Sequence, residues 1–122
     1  MDENPTDVDE QYELGLCYFD GNGVPQDMKK AMYWFSKAAE QGRVEAQVFL
    51  GCHYAELEEY KKAAYWHSKA AKQGNAVAQY NMGALYENGD GVSEDLEKAV
   101  YWYTKAAEQG NEDAQQALDD LQ

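Results

Sequence analysis

One phrase of twelve residues occurs three times in this chain of 122 residues. It stands as AMYWFSKAAEQG at 31–42, as AAYWHSKAAKQG at 63–74 and as AVYWYTKAAEQG at 99–110. A second phrase precedes each copy, as YELGLCY from Tyr12, VFLGCHY from Val48 and YNMGALY from Tyr80. Self-similarity with a period of roughly 20–50 residues is typical of stacked supersecondary units, so this repeat constrains the fold more than any other feature.

Both halves of the repeated unit predict helices. In the first copy the second half has apolar residues at i, i+3, i+4, i+7 and i+8, which is the period of an amphipathic helix. An acid lies four residues before each such stripe, where a helix N-terminus favours negative charge, and a glycine follows each helix, where a left-handed residue ends it. These residues are Asp27, Glu59, Asp95, Gly42, Gly74 and Gly110. The chain is therefore predicted to be all-α and built from three helix pairs.

A glycine also lies inside each first helix, at Gly15, Gly51 and Gly83. Glycine costs about 1 kcal/mol relative to alanine in a helix interior, so three glycines at one register indicate a shared steric need. We expect the paired helix to approach closely there, with its alanines opposite the glycines. Helix pairs of this kind bury their faces only against their neighbours, as in a solenoid.

The middle unit is shorter than the other two. From each internal glycine to the alanine that opens the second phrase, the steps are 31 − 15 = 16, 63 − 51 = 12 and 99 − 83 = 16 residues. Where the neighbours have DGNGVPQD and NGDGVSED, the middle unit has only AELE before Glu59. This predicts a tight turn and a notch in the second unit, and longer loops plugged by a valine in the first and third.

The residues carry a resemblance to a known family. The pattern A-x-A-Q-Y-N-x-G-x-x-Y-x-x-G-x-G-V…D-x-x-K-A-x-x-W-Y-x-K-A-A-E-Q-G, best developed in 75–110, resembles the Sel-one-like repeat (SLR) family, a relative of tetratricopeptide repeats. The resemblance covers the chain beyond its first six residues. It implies a right-handed α/α superhelix of three units, about 7–42, 43–74 and 75–110, that serves as an interaction scaffold. Residues 111–122 are expected to form a capping helix, because Asp119 replaces the internal glycine.

Composition narrows the possible partners and compartments. A net charge of −13 argues against nucleic acid and against anionic membrane surfaces, and no apolar run reaches the length of a membrane span. The acidic start MDENPTDVDE is unlike a secretory signal, so we expect a cytoplasmic monomer, or a secreted or periplasmic one if a signal has been removed. Cys17 and Cys52 occupy non-equivalent positions, so free thiols are expected rather than a disulfide.

We expect neither catalysis nor a metal or other cofactor. His53 and His67 have no ligand companions at metal-binding spacing, so both are interpreted as packing residues. Adjacent Cys52 and His53 point apart on a helix and do not form a nucleophile–base pair. The Tyr-Trp pairs of the repeated phrase could form a stacking platform for bases or sugars, but they are interpreted as core because they repeat with the unit and the Trp lies on the alanine stripe; the outward tyrosines are left open. A hydrolase activity resembling that of β-lactamases, known for some relatives, remains an alternative, although no Ser-x-x-Lys follows Ser36, Ser68 or Ser93.

Charge divides between the two helices of each unit. Nine of the ten basic residues lie in or just before the second helices, whereas the first helices and their approaches carry only Arg43. In tetratricopeptide-type repeats the first helices line a concave groove, and the resemblance carries that geometry over. The groove-facing positions are then Tyr12, Leu16, Phe19, Asp20, Glu45, Val48, Cys52, Ala55, Glu56, Tyr80, Ala84, Glu87 and Asn88.

Such a groove, apolar and edged with acid, predicts a protein or peptide partner of basic and apolar character. The carboxylate-clamp repeats, which bind acidic chaperone tails, need Lys and Asn where this chain has Tyr12, Leu16 and Cys52, so that partner class is disfavoured. Two alternatives stay open. Part of this face could pack on a neighbouring unit while its acids only keep the protein in solution, or the chain could be a near-consensus array without a specific partner.

Overall fold

The structure, a computed structural model, describes residues 4–122. Seven α-helices and no strand occur in that range, which confirms the all-α prediction. The helices are α1 (Val8–Asp20), α2 (Met28–Glu40), α3 (Val44–Glu56), α4 (Tyr60–Lys72), α5 (Ala76–Asn88), α6 (Leu96–Glu108) and α7 (Glu112–Asp120). They pair as α1–α2, α3–α4 and α5–α6, with α7 as the helix expected after the third pair.

Helix ends follow the chemistry that the sequence indicates. Asp27 and Asp95 are N-caps whose carboxylates accept the backbone N–H of Lys30 and Lys98, each at 3.1 Å, which satisfies a donor that the first turn leaves unpaired. Glu59 occupies the corresponding position before α4 but makes no such bond through its side chain. Gly42, Gly74 and Gly110 have φ of 98°, 97° and 90°, as predicted for the residues that end the second helices.

The connections between paired helices differ as predicted. Residues 21–27 and 89–95 join α1 to α2 and α5 to α6, whereas residues 57–59 suffice between α3 and α4. Val24 and Val92 are half-buried in the longer loops. The short turn requires the left-handed conformation of Glu58, with φ of 60°, because three residues leave little freedom for reversing the chain.

The described chain forms two compact units, one ending at Leu50 and the other spanning 51–122. The first contains α1, α2 and the start of α3, around buried Leu14, Ala31, Phe35 and Leu50. The second contains the end of α3 and the helices α4 to α7. Its core includes His67, Met82, Tyr103 and a row of alanines, and Ala114 of α7 is buried against Ala99, Tyr103 and Ala106. The last helix therefore caps α6.

In α3 and α5, a buried glutamine ties the start of the helix to the end of the helix before it. Within the first unit, Nε2 of Gln47 donates to the carbonyl of Ala39 at 3.0 Å. Within the second, Nε2 of Gln79 donates to the carbonyl of Ala71 at 3.2 Å. Both carbonyls belong to the last turn of a helix and also accept the backbone N–H of the glycine three residues later, at 3.0 Å. The repeated Ala-Gln of the sequence thus links a helix end to the start of the next helix within each unit.

The internal glycines do meet a steric need, but the predicted neighbour was wrong. A Cβ on Gly15 would lie 2.8 Å from the ring of Phe35, one on Gly51 2.6 Å from the ring of His67, and one on Gly83 2.5 Å from the ring of Tyr103. Aromatic rings of the second helices, not their alanines, therefore lie against the glycines, since a flat ring fits closely only where the opposing helix lacks a side chain.

The interpretation of the tryptophans in the Tyr-Trp pairs as core holds in full only for the first of them, and the tyrosines that were left open are exposed. Trp34 is buried, whereas Trp66 and Trp102 are half-buried. The tyrosines beside them are more than half exposed and pack edge-on against the indole rings. These tyrosines are Tyr33, Tyr65 and Tyr101.

Candidate functional site

The groove positions predicted in residues up to Leu50 lie around an aromatic cluster. The ring of Phe19 packs edge-on against Phe49 at 5.0 Å between centroids, and Phe35 lies 4.3 Å from Phe49. Tyr12 is half-buried, 5.7 Å from Phe35. Leu16 and Val48 are also half-buried. Much of this apolar surface is therefore occupied by contacts inside the unit.

A cation also lies on this part of the face. Arg43 forms ion pairs with Asp9 and with Glu45, the latter at 3.2 Å from Nε to the carboxylate. Its guanidinium lies over the ring of Tyr12, 4.4 Å from the centroid, a favourable cation–π contact. Burial raises the pKa of Tyr12, Glu45 adds to the rise, and Arg43 opposes it. Of the predicted acids here, only the exposed Asp20 has no ion pair in the described chain.

In residues 51–122 the predicted positions line two cavities instead. We call the larger one, of about 350 Å³, the His67 cavity. It is lined by three parts of the second unit: the end of α3 supplies Cys52, Ala55 and Glu56, α4 supplies Tyr60 and His67, and α5 with the residues after it supplies Asn81, Ala84, Leu85, Asn88 and Asp90. The structure thus brings together five residues that the sequence placed on one face, on α3 and α5.

The second cavity, of about 270 Å³, lies between α5 and α7. The predicted groove residues Tyr80 and Glu87 line it, together with Tyr103 and the acids Asp113 and Asp120. The hydroxyl of Tyr103 donates to Oε1 of Glu87 at 2.7 Å. Burial, and then this bond to a carboxylate, raises the pKa of Tyr103 well above its usual value, so the hydroxyl stays protonated and Glu87 stays paired.

One register position explains why the two cavities differ. The ring that lies on the internal glycine faces the residue four positions after that glycine, giving the pairs Phe19–Phe35, Ala55–His67 and Glu87–Tyr103. The phenylalanines of the first pair have centroids 6.5 Å apart, and the third pair is hydrogen-bonded. The middle pair is the smallest, and both its members line the His67 cavity.

His67 is buried without a polar partner. Its side chain is 2% exposed, and its Nδ1 has no hydrogen-bond partner anywhere in the described part of the chain. Burial lowers the pKa of His67 to about 4, because the imidazolium would lose its hydration. The ring is therefore neutral at pH 7. A buried polar atom without a partner is uncommon in folded proteins and calls for an explanation.

The remaining polar groups of the cavity carry no positive charge. The hydroxyl of Tyr60 and the amide of Asn88 can both donate and accept,. Nδ2 of Asn81 is directed at Sγ of Cys52, at 4.0 Å, and the amide oxygen of Asn81 is an acceptor. Burial, and then the charge of Glu56, raises the pKa of the Cys52 thiol, so the sulfur stays protonated and is a poor nucleophile. Within residues 51–122, no lysine or arginine lines either cavity.

The lysines of the second helices contact a different side of the first helices. Lys62 lies over the ring of Tyr54 and Lys98 over that of Tyr86, at 5.3 and 5.4 Å from the centroids. Neither tyrosine lines the His67 cavity or the cavity at Tyr103. The separation of charge that the sequence indicates is therefore kept around these two cavities.

Sequence reasoning missed four polar or aromatic residues of the His67 cavity, namely Tyr60, His67, Asn81 and Asp90. His67 was expected to pack, and it does, but its part in a cavity was not foreseen. The available signal was the comparison of Phe35, His67 and Tyr103 across the three copies, where the middle ring is the smallest. Across residues 4–122, no group of three His, Cys, Asp or Glu side chains could hold a metal ion, and both cysteines are free thiols.

Comparison with known proteins agrees with this architecture. Three Sel1 repeats match the chain, at residues 11–42, 44–75 and 76–111. The chain therefore belongs to the Sel1 repeat family, whose members are typically non-catalytic and generally mediate contacts between proteins.

Two solved structures show the similarity in three dimensions. The crystal structure of a Sel1 repeat protein from Oxalobacter formigenes is 41% identical, with a TM-score of 0.87 over 94% of this chain and 90% of that one. The protein c5321, a protective antigen of uropathogenic Escherichia coli strains with an SLR fold, is also 41% identical, with a TM-score of 0.86 over 94% of this chain. This chain spans 26% of that antigen's length. Comparison with curated proteins gives no match.

A helix must be long and apolar to cross a membrane. Each of α1 to α6 has 13 residues and α7 has 9, and none in the described range is long and apolar enough to cross a bilayer.

Proposed function

We propose that the chain is a non-enzymatic adaptor that binds a basic, amphipathic segment of another protein through the first-helix face of each unit. The observation that carries this proposal lies in residues 51–122, where five predicted face positions line a cavity that contains the acids Glu56 and Asp90 but no lysine or arginine. Membership of a family that generally mediates protein contacts supports the same conclusion.

The chemistry of the face determines what it would bind. Alanine and leucine side chains in the His67 cavity provide apolar surface, and the carboxylates at its edge favour a cation. A segment with apolar anchors and Lys or Arg beside them matches both features and would be steered by the net charge of −13,. In the first unit the half-buried Tyr12, Leu16 and Val48 would contribute apolar contacts, and the exposed Asp20 would contribute a negative charge.

Three features support a non-enzymatic role. The thiol of Cys52 is held protonated, as described above. The pKa of His67 is too low for a general base that works near pH 7, and its Nδ1 has no hydrogen-bond partner in the described part of the chain,. The residues that line the cavity include no serine. We further propose that the chain acts as a monomer, which light scattering at two protein concentrations would test.

Binding of a defined peptide tests the proposal. The probe is a fluorescein-labelled amphipathic peptide with alternating arginine and lysine on one face and leucine on the other, measured by anisotropy at about 50 and 150 mM salt. Glu56→Gln with Asp90→Asn should weaken binding about tenfold, or about 1.4 kcal/mol. The matched control, Glu40→Gln with Glu108→Gln, removes the same charge from exposed positions and should change the Kd less than about twofold.

If both pairs of substitutions weaken peptide binding equally, the interaction depends only on net charge, and the assignment of the binding site to this face is overturned. If the protein binds neither this peptide nor its all-lysine version at either of the two salt concentrations, the proposed function itself is contradicted.

A further inference from the structure

The His67 cavity exists because one repeat departs from the others at a single packing pair. In the first unit Phe35 lies on Gly15 and also meets Phe19 and Phe49. In the third repeat Tyr103 lies on Gly83 and bonds to Glu87. In the second repeat His67 lies on Gly51, and the residue at the equivalent register position is only Ala55. Both line a cavity of about 350 Å³, against about 270 Å³ for the cavity lined by Glu87 and Tyr103.

This cavity is asymmetric in its charge. The carboxylates of Glu56 and Asp90 line it, whereas no lysine or arginine of residues 51–122 does. The amides of Asn81 and Asn88 add neutral acceptors, and the imidazole of His67, in which Nδ1 is unpaired, also lines the cavity. A ligand that complements these groups therefore carries positive charge and donates hydrogen bonds to the carboxylates.

The shape of the cavity adds a second requirement. Ala55, Ala84 and Leu85 form apolar wall, and the half-buried Tyr60 contributes an aromatic ring. An arginine side chain has an apolar stem, five N–H donors in a plane and a weakly hydrated cation that stacks on aromatic rings. Lysine offers a compact, strongly hydrated charge, which would lose more hydration on entering a partly buried cavity.

We propose that the His67 cavity is a recognition pocket for one arginine side chain of the partner segment, whose guanidinium group meets the acceptors around His67. The origin of that arginine in another protein rests on the proposed function, whereas the affinity of the pocket for a guanidinium group does not. The neutral state of His67 at pH 7 fits this role, because an imidazolium in the same cavity would repel the guanidinium.

The direct test uses a small probe and no partner. Nα-acetyl-arginine methylamide is titrated into the ¹⁵N-labelled protein, and the backbone and Asn side-chain amide signals are followed by NMR. A saturable shift is expected at Cys52, Asn81, Ala84 and Asn88, with a Kd on the order of millimolar for so small a ligand. The lysine analogue should bind at least about fivefold more weakly. The citrulline analogue, which keeps the shape but has no charge, should not saturate.

Two sets of variants locate the binding. Ala55→Phe with His67→Phe copies the pair found at Phe19 and Phe35 and fills the cavity, so the arginine shifts should disappear. Glu56→Gln with Asp90→Asn leaves the space open and should weaken binding about tenfold. If the filled variant does not fold, the charge variant still decides the question. The control Glu40→Gln with Glu108→Gln should retain the wild-type Kd.

The outcomes separate this inference from the proposed function. If the arginine probe shifts only residues outside the cavity, or if its lysine analogue binds equally well, the pocket is overturned, even where the amphipathic peptide binds. If the probe saturates the pocket and the filled variant abolishes this, the pocket stands even where no peptide binds. Replacing each arginine of the peptide by lysine in turn then identifies the anchor, and one substitution alone should weaken binding about tenfold.

Discussion

His67 and Tyr103 occupy the same position in two copies of one phrase, and their surroundings differ. Each ring lies on a glycine of the preceding helix. Tyr103 is held by Glu87, packs beside Ala114 and lines a cavity of about 270 Å³, whereas His67 has an unpaired Nδ1 and lines a cavity of about 350 Å³. The repeated scaffold keeps the helix contact in both places. Specific chemistry arises where the copies differ, at the ring and at the residue four positions after the glycine.

The largest expected difference comes from removing the two rings. Tyr103→Ala should lower the free energy of unfolding by about 3–4 kcal/mol, because it leaves a void among buried residues and frees Glu87. His67→Ala should cost clearly less, about 1–2 kcal/mol, because the ring is smaller and its Nδ1 makes no hydrogen bond that the substitution would break,. Urea denaturation followed by circular dichroism measures both. Equal losses of unfolding free energy would contradict this expectation, because the two rings would then contribute equally to stability.

A second expectation concerns pH. The pKa of His67 is about 4 in the folded chain, against an ordinary value of 6.5. Between pH 4 and pH 6.5 the unfolded chain therefore binds a proton at His67 that the folded chain does not. The His67 contribution to stability is therefore complete above about pH 6.5 and is lost as the pH falls towards 4, by roughly 2–3 kcal/mol.

Replacing His67 by Phe should remove that part of the acid destabilisation while leaving the part due to carboxylates. The check is the difference in unfolding free energy between the wild type and His67→Phe, measured from pH 7.5 to 4. A difference that stays constant across this range would contradict the buried, neutral state of His67.

The two glycines provide a third comparison. Gly83→Ala places a methyl group 2.5 Å from the ring of Tyr103, and Gly51→Ala places one 2.6 Å from that of His67. Overpacking costs about 1–3 kcal/mol, against a gain of about 1 kcal/mol in helix propensity. We expect Gly83→Ala to destabilise by about 1–2 kcal/mol net and Gly51→Ala to be nearly neutral, because His67 has an open cavity into which it can move.

Thermal unfolding of the two glycine variants and the wild type in one buffer makes that comparison. A larger loss for Gly51→Ala would indicate that the His67 ring is as tightly held as the Tyr103 ring.

The smallest effect is expected for the hydroxyl of Tyr103. Tyr103→Phe removes the bond to Glu87 while keeping the ring, and the half-exposed carboxylate can turn to water, so the loss should be about 1 kcal/mol. Adding Glu87→Gln to this variant should cost little more, since the partners have already been separated. A double-mutant cycle measures the coupling, and a coupling near zero would mean that the bond contributes nothing to stability.

Much of the architecture could be predicted because it depends on local properties of the chain. Apolar periodicity, caps such as Asp27 and Asp95 and the glycines after each second helix act over one or two turns, and the structure has all of them. The difference in loop length followed from counting residues. The alanines expected opposite Gly15, Gly51 and Gly83 were wrong, because the face that a helix turns towards its partner depends on how whole side chains interlock.

The site was predictable only in outline. Cys52, Ala55, Glu56, Ala84 and Asn88 were placed on one face from their register and from the geometry that the family resemblance implies, and the structure finds them along one cavity. Phe19 was placed on the equivalent face but packs inside its unit, since Phe49, from another helix, reaches it. Tyr60 and Asp90 lie at the end of a short turn and in a long loop, where backbone path rather than helical period places a residue.

The sequence by itself therefore determined that this chain is a set of three helix pairs with a cap, where the second helix of each pair ends, and that the middle turn is short. These features follow from interactions between residues close together in the chain. Only the tertiary structure decided that rings lie on the internal glycines, that His67 is buried without a polar partner, and that a cavity lined by acids opens beside it. Those features depend on the volumes of side chains from separate helices, and no period in a linear sequence records whether such volumes fill the space between them.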